Sequence, residues 1–444
     1  MKHLLTAMVV IGLIVTMGCS KKEAQKTDID ASARSFVENL TSQKYQQARM
    51  LLDSTMAARL PVDTLDVVWK SLAGQFGEYR GQGDTREETR NNFDIVYVTM
   101  NFEKTSIDAR VVFDSTGQIA GLFFVPTPTK EPYVPAEYVD QNAFEETEVK
   151  FGDSAWTLPG TLTMPKGNGP FRAVVLVGGS GPTDRDETIG PNKPFRDIAW
   201  GLASRGIAVF RYDKRTLIYK DKFANLPYYT VQEETIDDAL AAVKLLMHTD
   251  RIDHSKIFVL GHSLGGMLVP RIGVQSRDIA GFILMAAATR PVEDMIIEQT
   301  EYIDMLDGTM SEEEEADLKK IKDEAARIKK LAADTALAQD SIILGVRSSY
   351  WLDIENYDPP DVTKAHSWPM LILQGERDYQ VTKTDYENWK KALKSHENVT
   401  FKLYPNLNHL FMEGEGKSTP DEYYKTGHVS KQVIDDIVNW IKSV

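Results

Sequence analysis

Lys256-Ile-Phe-Val-Leu260-Gly261-His262-Ser263-Leu264-Gly265-Gly266-Met267 carries an apolar run into a helix-forming one through a serine flanked by glycines. Val259 and Leu260 end a buried-strand pattern, while Met267, Leu268, Ile272 and Val274 suit a following helix. A bare G-x-S-x-G also arises as a glycine-rich turn with a solvated serine, so the flanks decide. They predict a strained strand-to-helix elbow, in which Gly261 and Gly265 let backbones pass closely and Ser263 Oγ stands clear of the sheet.

A serine nucleophile of this kind needs an acid and then a base later in the chain, each on a loop after a strand. Met370-Leu-Ile-Leu373 is a short apolar run followed by Gln374 to Val381, which places Asp378 in the next turn. Phe401-Lys-Leu-Tyr404 is followed by Pro405 to His409. His409 is the expected base and Asp378 its orienting acid. Glu376 is the rival acid and His428 the second choice of base. His262 packs within the elbow, and His248, His254, His366 and His396 lack such a placement.

The run Ala173-Val-Val-Leu-Val177 enters Gly178-Gly-Ser-Gly-Pro182. Glycines let backbone N–H groups approach a tetrahedral intermediate, so the amide of Ser180 or Gly179 is expected to pair with that of Leu264 as an oxyanion hole.

With these pieces in place, residues from about 145 to 444 resemble an α/β-hydrolase of the bacterial carboxylesterase group with a G-G-S-G-P-T-D-R-D loop, here Gly178 to Asp186. Arg211-Tyr-Asp-Lys-Arg215, Gly261 to Gly266, Gln374 to Val381 and Asn408-His409 carry the rest of the pattern. The group is similar to the dienelactone-hydrolase and acyl-peptidase branches, and the resemblance implies action on short-chain esters. Where many hydrolases have His-Gly, this chain has Gly178-Gly179, which leaves the donating amide open. Arg185, Asp186 and Asp213 read first as a structural ion-pair network and second as substrate contacts.

The 444 residues allow two or three domains, and 42% hydrophobic residues suffice for buried cores. A net charge of -14 without a basic stripe argues against a nucleic-acid partner. The single cysteine, Cys19, forbids an internal disulfide, and C-x-x-C and H-E-x-x-H spacings are missing. No metal or other cofactor is expected.

Lys2 and His3 precede an apolar stretch from Leu4 to Val15, then Thr16-Met-Gly-Cys19. The stretch is shorter than the ~20 residues of a spanning helix and reads as a cleaved export signal. It resembles a bacterial lipoprotein signal over residues 1–18, with Thr16 a departure from the usual Leu. That resemblance implies lipidation of Cys19 and a protein held at the periplasmic or cell-surface face of a membrane. The alternatives are an ordinary signal peptide with an incidental cysteine and an uncleaved anchor.

After a tether over 19–30, residues 31–125 form a separate unit. Phe36, Leu40, Ala48, Leu51 and Leu52 suggest paired helices, and Leu65, Val68, Trp69 and Leu72 another. Phe93 to Phe102, Ile107 to Phe113 and Ile119 to Val125 read as strands, giving an α+β domain. It resembles the small NTF2-like domain of unknown function found in front of such hydrolases. It is expected to bind, dock or form a homo-oligomer. Four prolines between Pro126 and Pro135 mark a linker over 126–144.

The catalytic domain, 145–444, is expected to open with an edge hairpin over Glu148 to Met164. Parallel strands then alternate with helices at Ala173–Val177, Ile207–Arg211, Lys256–Leu260, Gly281–Met285, Met370–Leu373 and Val399–Tyr404. Between about 290 and 358 the alternation stops, and helices over Glu298–Asp307 and Ser311–Asp334 suggest a cap. Tyr350 and Trp351 are candidates for the substrate pocket, with core packing as the alternative.

Together these readings point to an exported, lipid-anchored serine esterase acting on a small-molecule ester. A peptidase or acyl-amino-acid hydrolase is the enzyme alternative. A non-catalytic binding protein on the same scaffold is the alternative from another class.

Overall fold

Apolar spacing on four short helices and alternation on the strands that follow build the N-terminal unit. The structure, a computed structural model, describes residues 28–90, 93–127, 133–333, 341–355 and 357–444. The expected signal segment and Cys19 lie outside the described residues. Helices Ile29–Thr41, Tyr45–Met50, Ser54–Arg59 and Val62–Phe76 pack on an antiparallel sheet of β1 (Tyr79–Arg90), β2 (Phe93–Phe102), β3 (Ser106–Phe113) and β4 (Ile119–Pro126), in that order. The first helix starts inside the stretch read as tether, capped by the Asp28 carboxylate accepting the Ala31 amide at 3.1 Å. Period-two alternation turns Val96, Val98 and Met100 of β2 to the helices, where they join Phe36, Leu40, Leu65, Trp69 and Leu72 in one core.

The chain divides after Pro132. Tyr133 already belongs to the second unit: its hydroxyl donates to Asp197, the Tyr138 hydroxyl donates to the Val429 carbonyl at 2.8 Å, and Ala136 is buried. The linker expected over 126–144 is therefore shorter, because its second half finds apolar and hydrogen-bonding partners on the second unit.

In that unit β5 (Phe144–Phe151) and β6 (Leu158–Pro165) form the antiparallel edge hairpin. Next come β7 (Phe171–Val177), β8 (Ala208–Tyr212), β9 (Ile252–His262) and β10 (Gly281–Met285). A two-stranded ribbon, β11 (Ile342–Ile343) with β12 (Val346–Arg347), lies in the cap and is followed by β13 (Met370–Gly375) and β14 (Val399–Tyr404). The eight-stranded order is β5-β6-β8-β7-β9-β10-β13-β14, parallel from β8 to β14. Strands covered on both faces read as continuous apolar runs, and every residue of β8 and β10 is buried. The chain leaves β7 for β8 on one side and returns to β9 on the other. The carboxyl ends of β7 and β9 thus flank a topological switch point, where open α/β sheets hold their ligands.

The insertion between β10 and β13 contains helices Val292–Asp304, Glu312–Ile328 and Ser348–Glu355. A capping box starts the second: Ser311 Oγ accepts the Glu314 amide at 3.2 Å, and the Glu314 carboxylate accepts the Ser311 amide at 2.7 Å. That helix stops at Ile328, short of the expected Asp334. Ile328, Leu331, Ile343 and Trp351 form a small core of the cap. Among the described residues no helix is long and apolar enough to cross a membrane.

Candidate active site

Strand β9 ends at His262, and Ser263 follows at φ 54° and ψ -120° before the helix Leu264–Gln275 begins. A non-glycine residue in this region costs on the order of 1–3 kcal/mol and persists only where the surroundings over-determine it. They do so here. The Ser263 amide donates to the Met285 carbonyl at 2.9 Å, and a Cβ on Gly265 would lie 2.3 Å from the Val177 carbonyl oxygen. Only glycine lets the elbow approach the end of β7 this closely.

Asp378 stands in the turn after β13 with its side chain fully buried, and its Oδ2 lies 2.7 Å from His409 Nδ1. Oδ1 accepts the amides of Gln380 at 2.8 Å and Val381 at 3.0 Å, and Oδ2 also accepts from Gln374 Nε2 at 3.2 Å. These donors fix the direction of the carboxylate. With Nδ1–H committed to Asp378, the free nitrogen of His409 is Nε2, the one able to take a proton. His409 reaches the elbow through its carbonyl, which accepts from His262 Nε2 at 2.9 Å, and the two imidazole centres are 4.7 Å apart. No hydrogen bond joins Ser263 Oγ to His409 among the described residues; such bonds often tighten only with substrate present. Of the rivals, Glu376 pairs with Lys383 at the surface, and His428 pairs with the buried Asp197 at 3.0 Å.

A buried ion pair sits under the elbow. Glu187 Oε2 lies 2.9 Å from His262 Nδ1, off the line of an aligned hydrogen bond, so the contact is best read as a close ion pair. Burial opposes the charged form of both groups. For His262 the Glu187 charge and the His409 carbonyl outweigh it and raise its pKa, while the His262 charge and the Gly179 amide lower that of Glu187. Glu187 is itself held at φ 52°.

The other oxygen of Glu187 decides a question left open in the loop after β7. Its Oε1 accepts the Gly179 amide at 2.7 Å. Gly179, one of the two expected donors, is thereby corrected: its N–H is already committed inside the protein. The amides of Ser180 and Leu264 have no intramolecular acceptor among the described residues. A Cβ on Gly179 would lie 3.2 Å from Ser263 Cβ, so this loop runs directly against the elbow.

The charged residues of the same loop form networks. Arg185 forks onto Asp213 at 2.9 and 3.0 Å and bonds Glu148 and Thr161. Asp186 lies between Arg211, 3.0 Å away, and Arg196, 2.6 Å away. Lys214 is buried, with Nζ 2.8 Å from Glu234 Oε1 and 2.9 Å from the Gly179 carbonyl. The Tyr350 hydroxyl donates to Glu234 Oε2 at 2.9 Å.

That bond corrects the pocket expected at Tyr350 and Trp351. Tyr350 packs into the main core, and Trp351 packs inside the cap with its indole N–H on the Ile343 carbonyl at 2.7 Å. A cavity of about 220 Å³ lies beside them, between Tyr228 and the start of the cap helix at Ser348, Ser349, Leu352 and Asp353; its lining includes neither aromatic and no triad residue. Glu187 and Glu234 carry no signal of their own in the sequence, and Lys214 stands out there only within Arg211-Tyr-Asp-Lys-Arg215. Among the described residues no group of three or more His, Cys, Asp or Glu could hold a metal ion.

A family model described as serine aminopeptidase, S33, matches residues 193–416. A second, described as a protein of unknown function (DUF3887), matches residues 33–122. Esterase EstD of Thermotoga maritima is 42% identical over 413 residues, which span 93% of this chain and 95% of that one. Est1E from Butyrivibrio proteoclasticus aligns structurally with a TM-score of 0.43 at 16% identity, over 67% of this chain and 99% of its own. The Pyrococcus horikoshii acylaminoacyl peptidase aligns with a TM-score of 0.47 at 14% identity, over 82% and 56%.

Proposed function

The chain belongs to the α/β-hydrolase serine esterases, the family of Esterase EstD, and on that premise we propose that Ser263, His409 and Asp378 hydrolyse short-chain acyl esters through an acyl-enzyme. Ser263 Oγ attacks the ester carbonyl carbon and passes its proton to His409 Nε2. The carbonyl oxygen becomes an oxyanion, facing the amides of Leu264 and Ser180. As the tetrahedral intermediate collapses, the bond to the alkoxy oxygen breaks and His409 protonates the departing alcohol. Water then gives a proton to His409 and attacks the acyl carbon; the bond to Ser263 Oγ breaks, the serine regains a proton and the carboxylic acid leaves.

The observation that supports this reading is the buried 2.7 Å contact between Asp378 and His409 Nδ1, which leaves Nε2 free to act as the base. The test is covalent. A fluorophosphonate probe should label the wild type, and Ser263→Ala should abolish both labelling and turnover while leaving the fold intact. Near wild-type turnover in Ser263→Ala would sink the mechanism. Acyl esters of graded length define the acyl preference.

The S33 match keeps an aminopeptidase reading in play. It needs free carboxylates to hold a substrate ammonium group, and the two placed at the site, Glu187 and Asp378, are both committed. Aminoacyl amides turned over faster than esters would reverse the preference.

The lipoprotein-like segment supports export and anchoring through a lipidated Cys19, on the periplasmic or cell-surface face of a bacterial membrane. Cys19→Ser should then move the protein out of the membrane fraction or leave its signal unprocessed. Residues 31–125 act as an accessory docking or dimerising module in this reading, and analytical ultracentrifugation with and without them tests the dimer.

A further inference from the structure

Lys214 holds a feature that the triad chemistry leaves unused. A peptide unit is planar and trans, so its C=O and N–H point to opposite sides. The unit joining Gly179 to Ser180 has its carbonyl oxygen on the buried ammonium of Lys214 at 2.9 Å. The unit before it has its N–H on Glu187 at 2.7 Å. Two buried side chains of opposite charge, each about 3% exposed, therefore grip Gly179 from either end. The next N–H, that of Ser180, is turned away from Lys214 and lacks an intramolecular acceptor among the described residues. It extends from a glycine that lies against Ser263 Cβ.

We infer that Lys214 is a positioning residue of the oxyanion hole: it holds and polarises the Gly179–Ser180 peptide so that the Ser180 N–H, with that of Leu264, receives the developing negative charge. The inference rests on the esterase reading above and resolves which amide of the loop donates. A cation bonded to a carbonyl draws electron density through the amide and strengthens its N–H as a donor, and hydrogen bonds in series reinforce one another at low dielectric. The ammonium is itself held. Glu234, on a π-helical turn over Gln232–Ile236, takes Lys214 on one oxygen and the Tyr350 hydroxyl of the cap on the other. Irregular helical turns of this type frequently occur at functional sites. The cap helix Ser348–Glu355 is thereby linked to the oxyanion loop through three side chains.

A merely structural Lys214 would make the same contacts, so the test must read transition-state binding. In the full chain, fluorophosphonate labelling of the wild type and its loss in Ser263→Ala first check the esterase reading; if the wild type does not label, that reading and this inference fall together. Lys214→Met, and Lys214→Met with Glu234→Gln to avoid an orphaned buried carboxylate, are then assayed on a short acyl ester and with a trifluoromethyl ketone, whose hemiketal with Ser263 Oγ presents an oxyanion. Loss of an oxyanion donor typically costs about 10²–10³ in kcat, and loss of its support should cost somewhat less, ~10–10². We expect kcat to fall by that factor, KM to stay within about twofold, and ketone affinity to fall in parallel with kcat. Lys214→Arg, which keeps the charge, should recover part of both. A folded double variant with kcat within about twofold of the wild type, or a loss confined to KM with ketone affinity unchanged, would overturn the inference.

Discussion

Replacing Asp378 with Asn changes one atom, and the structure says which. Two backbone donors, Gln380 N at 2.8 Å and Val381 N at 3.0 Å, converge on Oδ1, so the asparagine oxygen must occupy that position. Its NH₂ group then takes the place of Oδ2, 2.7 Å from His409 Nδ1. Facing a donor, the imidazole must accept at Nδ1, and its proton moves to Nε2, the atom that should receive the proton of Ser263. Enforcing the wrong tautomer costs ~10⁴ in kcat in serine proteases, which corresponds to about 5.4 kcal/mol of transition-state stabilisation. The effect on folding should be far smaller. Apart from the His409 contact, one hydrogen bond is lost, that from Gln374 Nε2, worth about 1 kcal/mol. The assay is kcat and kcat/KM on a short acyl ester beside a thermal melt. A folded Asp378→Asn variant within tenfold of wild-type kcat would refute the tautomer argument and the assignment of Asp378 with it.

The Glu187–His262 pair predicts a pH window for stability. The lowered pKa of Glu187 makes its contribution full above about 4.3 and lost as pH falls through the folded value, whereas the raised pKa of His262 makes its contribution full below about 6.5 and lost as pH rises through the folded value. The stability gap between wild type and Glu187→Gln should therefore peak between those limits, and urea unfolding that gives a pH-independent gap would contradict it. Gly265→Ala should destabilise by about 1–3 kcal/mol and lower kcat, because its Cβ would meet the backbone oxygen of Val177 at 2.3 Å; an unshifted melting temperature would count against the close approach. A chain beginning at residue 132, just before Tyr133, should fold and hydrolyse small esters. If it gives a native circular dichroism spectrum without activity, residues 31–125 contribute to the site.

What was legible in the sequence followed from local periodicity. Strands β7, β8, β10 and β13 of the large sheet are each announced by an apolar run, because burial on both faces requires one. Strand β1 had no such announcement. Tyr79–Arg90 contains Gly81, Gly83 and six charged residues, and among the described residues it pairs only with β2, at the edge of its sheet. An edge strand is stabilised by its neighbour's backbone and carries charge that blocks further pairing, so composition hides it. The end of the linker is hidden for a related reason: Pro126 to Pro135 reads as extended chain, and nothing local says that Tyr133 meets Asp197, 64 residues away.

The candidate site divides along the same line. Ser263, Asp378 and His409 each follow a strand and lie in a fixed chain order, which makes a set of distant residues readable one loop at a time. Glu187, Lys214 and Glu234 obey no such order. Glu187 directly follows Thr183-Asp-Arg-Asp186, and Lys214 stands between Asp213 and Arg215, surroundings that suggest solvated surface. Their burial comes from pairings that only the folded chain makes: Glu187 with His262 of the elbow, and Lys214 with Glu234 on the helix before β9. Isolated charges of this kind would cost several kcal/mol each to desolvate, so each is tolerated only where its partner and further hydrogen bonds are already in place. The partners converge on one glycine beside the nucleophile. A charge pattern that looks like surface in the chain thus becomes, once the sheet has formed, a buried frame that holds Gly179 by its amide and its carbonyl.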